Sequence, residues 1–324
     1  MSKVLIYTEN VDGKFKKQTF EIASYGADIA RQYGGEAVAL SIGNVAGDEL
    51  KLLAQYGITK VLNVNNDALA NLENQTYAAI VAKAAQDEGA EVVVFSGSNT
   101  AKAVAPRVSV KLKAGMVFAA TGLPVSLDPF TISKKVFHGK AFAKVIISSQ
   151  IKVISLAQNS FGVHENPVEI AVQDYEPQID MAVKTKVSQV EKASGKVLLN
   201  DAEIIVSGGR GLKGSENWAP LEELADILGA ATACSRPVSD EGWRPHSEHV
   251  GQTGKIVAPN LYFALGISGA IQHLAGVSSS KVIVAVNTDI DAPVFQAADY
   301  GIVGDVQKIL PQLNKAFRKF KSEN

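Results

Sequence analysis

The sequence predicts an α/β protein with two domains, each built on a mainly parallel β-sheet. The chain has 324 residues, which is more than one typical domain. Short apolar runs alternate with helix-length segments, a pattern typical of βαβ units. This alternation stops in a polar, lysine-rich stretch over about 176–200 and then restarts. We therefore place the domain boundary near 190, with domains at 1–190 and 191–324.

The N-terminal domain begins with four strand–helix repeats. The predicted strands are 3–9, 36–43, 60–65 and 91–98, and the predicted helices are 18–34, 47–56, 75–89 and 100–113. Apolar strands joined by helices indicate a parallel sheet that is covered on both faces. Residues 133–160 alternate without a helix-length segment, which predicts antiparallel strands. We expect a nucleotide-hydrolase-like domain whose parallel sheet has an antiparallel extension.

The C-terminal domain repeats the strand–helix order. Strands are predicted at the start of 202–214 and over 230–238, 255–268 and 281–287, and helices over 215–229, 269–276 and 305–321. A glycine-rich loop follows the first of these strands, and this order predicts a Rossmann-like domain.

The charge balance argues against nucleic acid and anionic lipid as partners. Lys and Arg number 32 and Asp and Glu 33, which gives a net charge of -1. The single cysteine, Cys234, excludes an intramolecular disulfide and a cysteine-based zinc cluster. The start, "MSKVLIYTEN", enters an apolar strand pattern directly, without the apolar core of a signal peptide, so we expect a cytoplasmic protein.

A long stretch without acidic residues, 255–276, has the length of a membrane span. Pro259, three glycines, Asn260, Gln272 and His273 interrupt it, which makes a spanning helix unfavourable. We therefore expect no membrane insertion.

The loop "GRGLKG", residues 209–214, fits the pattern G-x-G-x-x-G between a predicted strand and a predicted helix. Such a loop brings backbone N–H groups and a helix N-terminus to a pyrophosphate, although it could also be a tight turn without a ligand. About 20 residues on, an NAD site would place an acidic residue, but Ser235 and Arg236 stand there. Arg236 would bind the 2′-phosphate of NADP, face another electron-rich group, or form a salt bridge.

The loop "VGQTGK", residues 250–255, resembles a shortened phosphate-binding loop. Ile256 follows its lysine where a magnesium-binding hydroxyl would be needed, which argues against nucleotide hydrolysis. Gln252 and Thr253 could still present polar groups to a planar ligand, and the alternative is a simple turn.

The helix predicted over 269–276 offers a ligand surface. Ser268 is a suitable N-cap and Gly276 a suitable C-terminal residue. Helical spacing predicts a core face of Ile271, Leu274 and Ala275, with Gly269 and His273 on the opposite side. We interpret the space above Gly269 as room for a flat ligand, against the alternative that His273 is a structural histidine.

The remaining histidines predict no site. His246, Glu248 and His249 lack a further ligand at metal-binding spacing, so we expect a solvated loop, and His138 and His164 are isolated. No nucleophile motif and no paired-carboxylate pattern occurs, and thus no catalytic residue is predicted.

Five motifs in order resemble the C-terminal half of the electron transfer flavoprotein alpha subunit. They are "SGGRGLKG", "ACSRPV", "VGQTGKIVAPNLY", "GISGAIQHLAG" and "VNTDIDAPVFQAADYGIVGD", within 207–305. The N-terminal half matches more loosely, through "IYTE" and "SGSNTAKAVAPRVSVKL", and "FHGKAFAK" departs from the family pattern. The resemblance implies a heterodimer in which a first domain packs on the beta subunit and a second domain binds one FAD, with AMP on the beta subunit.

The resemblance also implies a role for each motif. Arg210 would contact the phosphates or adenosine of FAD, Arg236 would lie against the isoalloxazine, and Thr253 would approach N5 of that ring. The segment from Ser268 to His273 would hold the ribityl-pyrophosphate, with His273 near flavin O2. The complete implied FAD set is Arg210, Ser235, Arg236, Val250, Gly251, Gln252, Thr253, Ser268, Gly269, Ala270, Ile271, Gln272, His273, Asn287 and Asp305.

The function implied is that of an FAD-dependent one-electron carrier rather than an enzyme. Electrons would come from flavin dehydrogenases such as acyl-CoA dehydrogenases and pass to a membrane quinone oxidoreductase, as in fatty acid β-oxidation. A guanidinium, a histidine and a helix N-terminus near the ring would stabilise its half-reduced form. Two alternatives remain: an NADP-dependent oxidoreductase with Arg236 on the 2′-phosphate, and a ligand-free interaction protein.

Overall fold

The computed structural model describes residues 3–137, 139–179, 187–190 and 198–323. The chain divides into two compact units, Met1–Val190 and Glu191–Asn324. His138 and parts of the polar stretch over 176–200 lie outside the described residues. No helix in the described ranges is long and apolar enough to cross a membrane.

Unit 1 is built on one large sheet with helices on both faces. Its strands are β1 Lys3–Thr8, β2 Asn10–Val11, β3 Lys14–Phe15, β4 Glu36–Ile42, β5 Lys60–Val64, β6 Ala90–Phe95, β7 Gly115–Ala120, β8 Ser126–Leu127, β9 Phe130–Val136, β10 Ala141–Ile146, β11 Lys152–Leu156 and β12 Ala171–Asp174. Its helices are α1 Lys17–Gln32, α2 Gly47–Lys51, α3 Asn74–Glu88 and α4 Asn99–Leu112.

The large sheet has the order β10-β9-β7-β11-β6-β1-β4-β5-β12, with β8 paired to β9. From β7 to β12 in this order, every pair of neighbouring strands is parallel. Strand β9 is antiparallel to its three partners, β7, β8 and β10. Along β1, Val4 and Ile6 face one core while Leu5 and Tyr7 face the other. Both faces of the central strands are therefore buried, as the apolar runs predict.

Part of the predicted antiparallel extension is wrong. Residues 130–146 form the expected antiparallel pair, but β11 lies parallel between β6 and β7. The residues of β11 after Lys152 are all buried, which fits an interior strand covered on both faces. Strands β7 and β12 were not predicted from the sequence.

Two predicted segments of unit 1 end early. The segment 91–98 leaves the sheet at Phe95 because the Ser98 hydroxyl accepts a hydrogen bond from the Ala101 N–H at 2.9 Å and caps α4. The helix expected over 47–56 is α-helical only to Lys51, and a tighter 3₁₀ turn follows over Leu52–Gln55.

Unit 2 is a parallel five-stranded sheet between two helical layers. Its strands are β13 Ile204–Gly208, β14 Ala231–Cys234, β15 Leu261–Leu265, β16 Val282–Asn287 and β17 Tyr300–Val303, and its helices are α5 Ala219–Leu228, α6 Arg236–Asp240, α7 Ile271–Val277, α8 Val294–Ala297 and α9 Val306–Glu323. All strand pairs are parallel, in the order β14-β13-β15-β16-β17. Counted within the unit this is 2-1-3-4-5, a doubly wound order distinct from the 3-2-1-4-5-6 of the dinucleotide-binding Rossmann sheet.

Alternate residues of the strands supply two cores. Ile205 of β13 packs with residues of α7 and α8, while its neighbour Val206 packs with α5 and α9. The strands predicted over 230–238 and 255–268 are limited to β14 and β15, since α6 begins at Arg236. The sequence did not predict α6, α8 or β17.

Candidate functional site

The site of interest in unit 2 is a cleft at the carboxyl ends of its strands. The chain runs from β13 to β14 on one side and then crosses back to β15 on the other side. Loops that leave β13 and β15 therefore diverge, and such a switch point is the usual ligand crevice of a doubly wound sheet. The cleft there has a volume of about 510 Å³.

Most residues that the sequence assigned to FAD line this cleft. The predicted residues among them are Arg210, Ser235, Arg236, Val250, Gly251, Gln252, Thr253, Ser268, Ala270, Gln272, His273 and Asn287. Gly269, Ile271 and Asp305 are not part of the lining. Lining residues that the sequence analysis did not assign are Gly211, Pro237, Asp240, His249, Gly266 and Ile267.

The glycines of "GRGLKG" allow two loops to touch. A Cβ on Gly209 would lie 2.2 Å from the Gly266 carbonyl oxygen, and one on Gly211 would lie 2.6 Å from Gly266 Cα. The Gly211 N–H donates to that same carbonyl at 3.0 Å. The first two glycines thus serve contact between the β13 and β15 loops, which a side chain would block.

The predicted helix over 215–229 begins later than expected. Two 3₁₀ turns, Arg210–Leu212 and Ser215–Asn217, precede α5, which starts at Ala219 with Pro220 in its first turn. The expectation that an α-helix N-terminus directly follows the glycine loop is therefore wrong, since proline at the first turn sets the start of α5.

Arg236 connects two of the predicted loops. It begins α6 directly after β14, and Ser235 at the preceding position is buried. Its guanidinium donates to Asp240 Oδ2 at 3.3 Å and to Thr253 Oγ1 at 3.4 Å. With 62% of its side chain exposed, Arg236 is held near Thr253 but can still contact a ligand.

Arg210 is the second guanidinium on the cleft. Its nearest acidic group is Glu241, with 3.9 Å between Nη1 and Oε1, and 67% of its side chain is exposed. A long, exposed ion pair of this kind contributes little stability. Arg210 is therefore available to an anionic group.

The loop "VGQTG" is held from two sides. The Val250 N–H donates to the Cys234 carbonyl at 3.0 Å, and the Gln252 N–H donates to the Gln272 carbonyl at 2.7 Å. Gly251 has a φ of +151°, and a Cβ on Gly276 would lie 2.5 Å from Gly251 Cα. Backbone contact with β14 and α7 fixes this loop, which leaves the side chains of Gln252 and Thr253 exposed.

Arg244 anchors the segment that leads into this loop. Its guanidinium forms two hydrogen bonds with Glu248, both at 2.8 Å, and one with Glu222 of α5, also at 2.8 Å. It also stacks on Trp218, 5.3 Å from the ring centroid. Only 14% of the Arg244 side chain and 12% of the Glu248 side chain are exposed, so water screens this pair weakly.

His273 contributes no positive charge to the cleft. It is buried, and its Nε2 lies 3.0 Å from the Tyr262 hydroxyl. Burial is the main reason that the pKa of His273 is lowered to about 4; the Val250 backbone opposes the shift, and His249 adds to it. The imidazole is therefore neutral at pH 7, and its Nε2 makes a structural hydrogen bond with Tyr262.

The structure also corrects the details of α7. Ala270, not Ser268, occupies the N-cap, and Gly276 lies inside the helix rather than at its end. Ile271 is 52% exposed, whereas His273 and Gly276 are buried. The predicted core face is therefore rotated.

The space expected above Gly269 is filled. Gly269 has a φ of +83°, and its Cβ would lie 2.2 Å from the Val294 backbone nitrogen. The Val294 N–H donates to the Ser268 carbonyl at 3.0 Å, which fixes this contact. Protein backbone rather than a flat ligand therefore uses the missing side chain of Gly269.

The last two residues predicted to bind FAD, Asn287 and Asp305, form hydrogen bonds that fix neighbouring loops. The Asn287 amide donates to the Ile267 carbonyl at 2.9 Å and borders the cleft. Asp305 accepts from the Gln307 N–H at 3.0 Å and from Lys213 Nζ at 3.0 Å. The Lys213 ammonium and the Gln307 N–H hold the pKa of Asp305 below its usual value.

His249 was expected in a solvated loop and is instead buried, with 2% of its surface exposed. Its neighbour Glu248 is bound by Arg244. No local sequence pattern signals this burial, because it depends on backbone contacts with Cys234 and Gly254.

Comparison with known proteins agrees with the position of this cleft. The family model described as "Electron transfer flavoprotein FAD-binding domain" matches residues 198–278, and "Electron transfer flavoprotein domain" matches 4–194. The electron transfer flavoprotein subunit alpha of Bacillus subtilis is 34% identical over 98% of this chain and 98% of its own length. The subunit alpha of Syntrophomonas wolfei is 36% identical over 98% of this chain and 100% of its own length. The chain therefore belongs to the electron transfer flavoprotein alpha-subunit family.

Proposed function

We propose that unit 2 binds FAD in this cleft and that the chain carries electrons as the alpha subunit of a heterodimer. The observation that supports this most directly is the meeting of Arg210, Arg236 and the loop "VGQTG" at one switch point. The residues matched by the family's FAD-binding domain include all three.

The donors on the cleft suit the chemistry of FAD. Its pyrophosphate is an anion, and Arg210 supplies an exposed guanidinium with only a distant acidic partner. The Thr253 hydroxyl and the Arg236 guanidinium, 3.4 Å apart, would orient the ring system through polar contacts.

Bound FAD would supply one-electron chemistry, and the chain's own groups would tune it. A guanidinium near the ring favours added negative charge, and each charge-assisted contact contributes on the order of 1–3 kcal/mol. Because Arg236 is largely exposed, we expect its contribution near the lower end of that range.

We further propose that the chain has no substrate-transforming site of its own. Among the described lining residues, His273 is neutral and bonded to Tyr262, and Asp240 is bonded to Arg236. Neither is free to act as a general acid or base on a substrate in this arrangement, and the third such lining side chain, His249, is buried with only 2% of its surface exposed. A carrier needs no such group, because electrons enter and leave without making or breaking a bond in a substrate.

The proposed partners follow from the family. The beta subunit would pack on unit 1 and hold AMP, and one FAD would be bound per heterodimer. Flavin dehydrogenases, such as acyl-CoA dehydrogenases, would reduce that FAD, and a membrane quinone oxidoreductase would reoxidise it.

An NADP-dependent oxidoreductase is the second candidate, because Arg236 follows the second strand of the unit, where a 2′-phosphate would lie. The bond of Arg236 to Asp240 and the 2-1-3-4-5 strand order favour FAD instead.

The test is purification of the chain together with its beta subunit. We expect a yellow complex that contains one FAD, and loss of FAD binding in the double variant Arg210→Ala, Arg236→Ala. The matched control is Arg318→Ala, whose exposed side chain pairs with Glu223 outside the cleft lining. A colourless complex that binds NADP tightly by calorimetry would overturn the proposal.

A further inference from the structure

His249 is a buried imidazole that borders the cleft and has no hydrogen bond to any described residue. It is 2% exposed and contributes to the lining. Its Nδ1 is completely buried without a partner, and a Cβ on Gly254 would lie 2.8 Å from that atom. Because Nδ1 is enclosed and the residue lines the cleft, we infer that Nε2 is the ring nitrogen on the cleft side.

The surroundings hold this ring in one place. The backbone of His249 forms a bridge with Cys234 at the end of β14, and its carbonyl accepts from the Lys255 N–H at 2.9 Å. On the Nε2 side, a Cβ on Gly251 would lie 3.5 Å from the ring. The two glycines of the loop thus cover the imidazole without offering it a polar side chain.

We propose that His249 is a proton-accepting contact of the FAD site: its Nε2 touches the cofactor and takes up one proton when the cofactor gains negative charge. This inference rests on the proposed function. In this step one electron passes to FAD from the reduced flavin of a dehydrogenase, and one proton passes from solvent to Nε2. The net charge of the cleft is then unchanged.

The charges around His249 agree with this role. Burial is the main cause that lowers the pKa of His249. The charges of His246 and Arg236 lower this pKa further, and the Asp240 carboxylate raises it. His273 on α7 is neutral and bonded to Tyr262, and Glu248 is bonded to Arg244. A pKa below the usual 6.5 leaves His249 mostly neutral at pH 7 before reduction, and an added negative charge beside Nε2 would raise that pKa.

His246 provides a matched control. It lies three residues earlier, its ring centroid is 5.3 Å from that of His249, and it is exposed and outside the cleft lining. A general effect of removing a histidine from this segment would appear in both positions. A cofactor contact would appear only at His249.

The experiment uses the heterodimer loaded with FAD and measures the potential of the first one-electron reduction from pH 6 to pH 8. For one proton per electron, the potential falls by up to about 59 mV per pH unit. We expect a slope approaching this value in the wild type and in His246→Gln. His249→Gln, which keeps a polar contact but does not titrate, should flatten the slope.

The affinity for FAD distinguishes a contact between His249 and the cofactor from proton uptake by His249. Loss of one hydrogen bond costs about 0.5–1.5 kcal/mol, or roughly 2- to 12-fold in Kd. We expect such a loss for FAD in His249→Leu and a smaller one in His249→Gln. Equal slopes in the wild type and His249→Gln would overturn the role of His249, even where FAD binds normally. A wild-type heterodimer that binds no FAD would overturn the proposed function as well.

A measurement on the wild type keeps the test decisive if the variants do not fold. Nitrogen-15 NMR of the histidine rings at pH 7 should show one neutral imidazole that becomes protonated when FAD is fully reduced. A complete set of histidine signals without such a change would contradict the proposal.

Discussion

Replacing Arg244 by alanine should destabilise unit 2 and disturb the cleft together. The substitution removes three hydrogen bonds of 2.8 Å and the stacking on Trp218. It also leaves Glu248, whose side chain is 12% exposed, without its cationic partner. Removing one partner of a poorly solvated pair costs about 3–5 kcal/mol, and the partial exposure of Glu222 places our expectation near 3 kcal/mol.

The assay is urea unfolding of the heterodimer, followed by tryptophan fluorescence and by FAD release. Because Arg244 ties 244–248 to α5 and thereby supports the loop "VGQTG", Arg244→Ala should release FAD at a lower urea concentration. Arg318→Ala is the control. The Arg318 side chain, which pairs with Glu223, is 65% exposed, so its removal should change stability by less than about 1 kcal/mol. Equal unfolding midpoints for wild type and Arg244→Ala would refute the reasoning.

Two further predictions concern backbone and charge. Gly269→Ala should destabilise unit 2 by more than about 2 kcal/mol in thermal unfolding, because the new Cβ would lie 2.2 Å from the Val294 backbone nitrogen. The control Gly229→Ala, at a φ of +65° with open space around it, should cost about 1 kcal/mol. Similar costs for the two variants would contradict the clash. Burial raises the pKa of Glu88, but hydrogen bonds from Lys3 and Lys60 outweigh this effect and hold the pKa below 4.5. Ionised Glu88 therefore stabilises the folded state above pH 4.5, and this contribution is lost as the pH falls through the lowered pKa. Glu88→Gln should therefore weaken the acid dependence of unfolding, while the exposed Asp48→Asn should not, and unchanged pH curves in both would contradict this assignment.

The sequence predicted the parallel sheets well because their signal is local. The apolar composition of runs such as 36–42 and 282–287 indicates strands that are buried on both faces, and helix-length segments separate these runs. The position of β11 between β6 and β7 was missed, since strand order depends on contacts between distant segments.

The sequence identified the loops that border the cleft but not the contacts between them. Glycine and arginine positions mark the loops, and most of these residues line the cleft. The charge state of His273 depends on burial against Tyr262, and the use of Gly269 depends on Val294, neither of which is local in sequence. The anchoring role of Arg244 was likewise missed because its partner Glu222 lies 22 residues away.

The most direct test of the central claim, that cationic groups of this cleft act on bound FAD, is the reduction potential of Arg236→Ala. A contribution of about 1 kcal/mol from this largely exposed guanidinium corresponds to a fall of roughly 40 mV in the first one-electron potential. Arg236→Lys, which keeps the charge, should lie between that variant and the wild type. A potential that is identical in all three proteins, with FAD bound in each, would contradict the account.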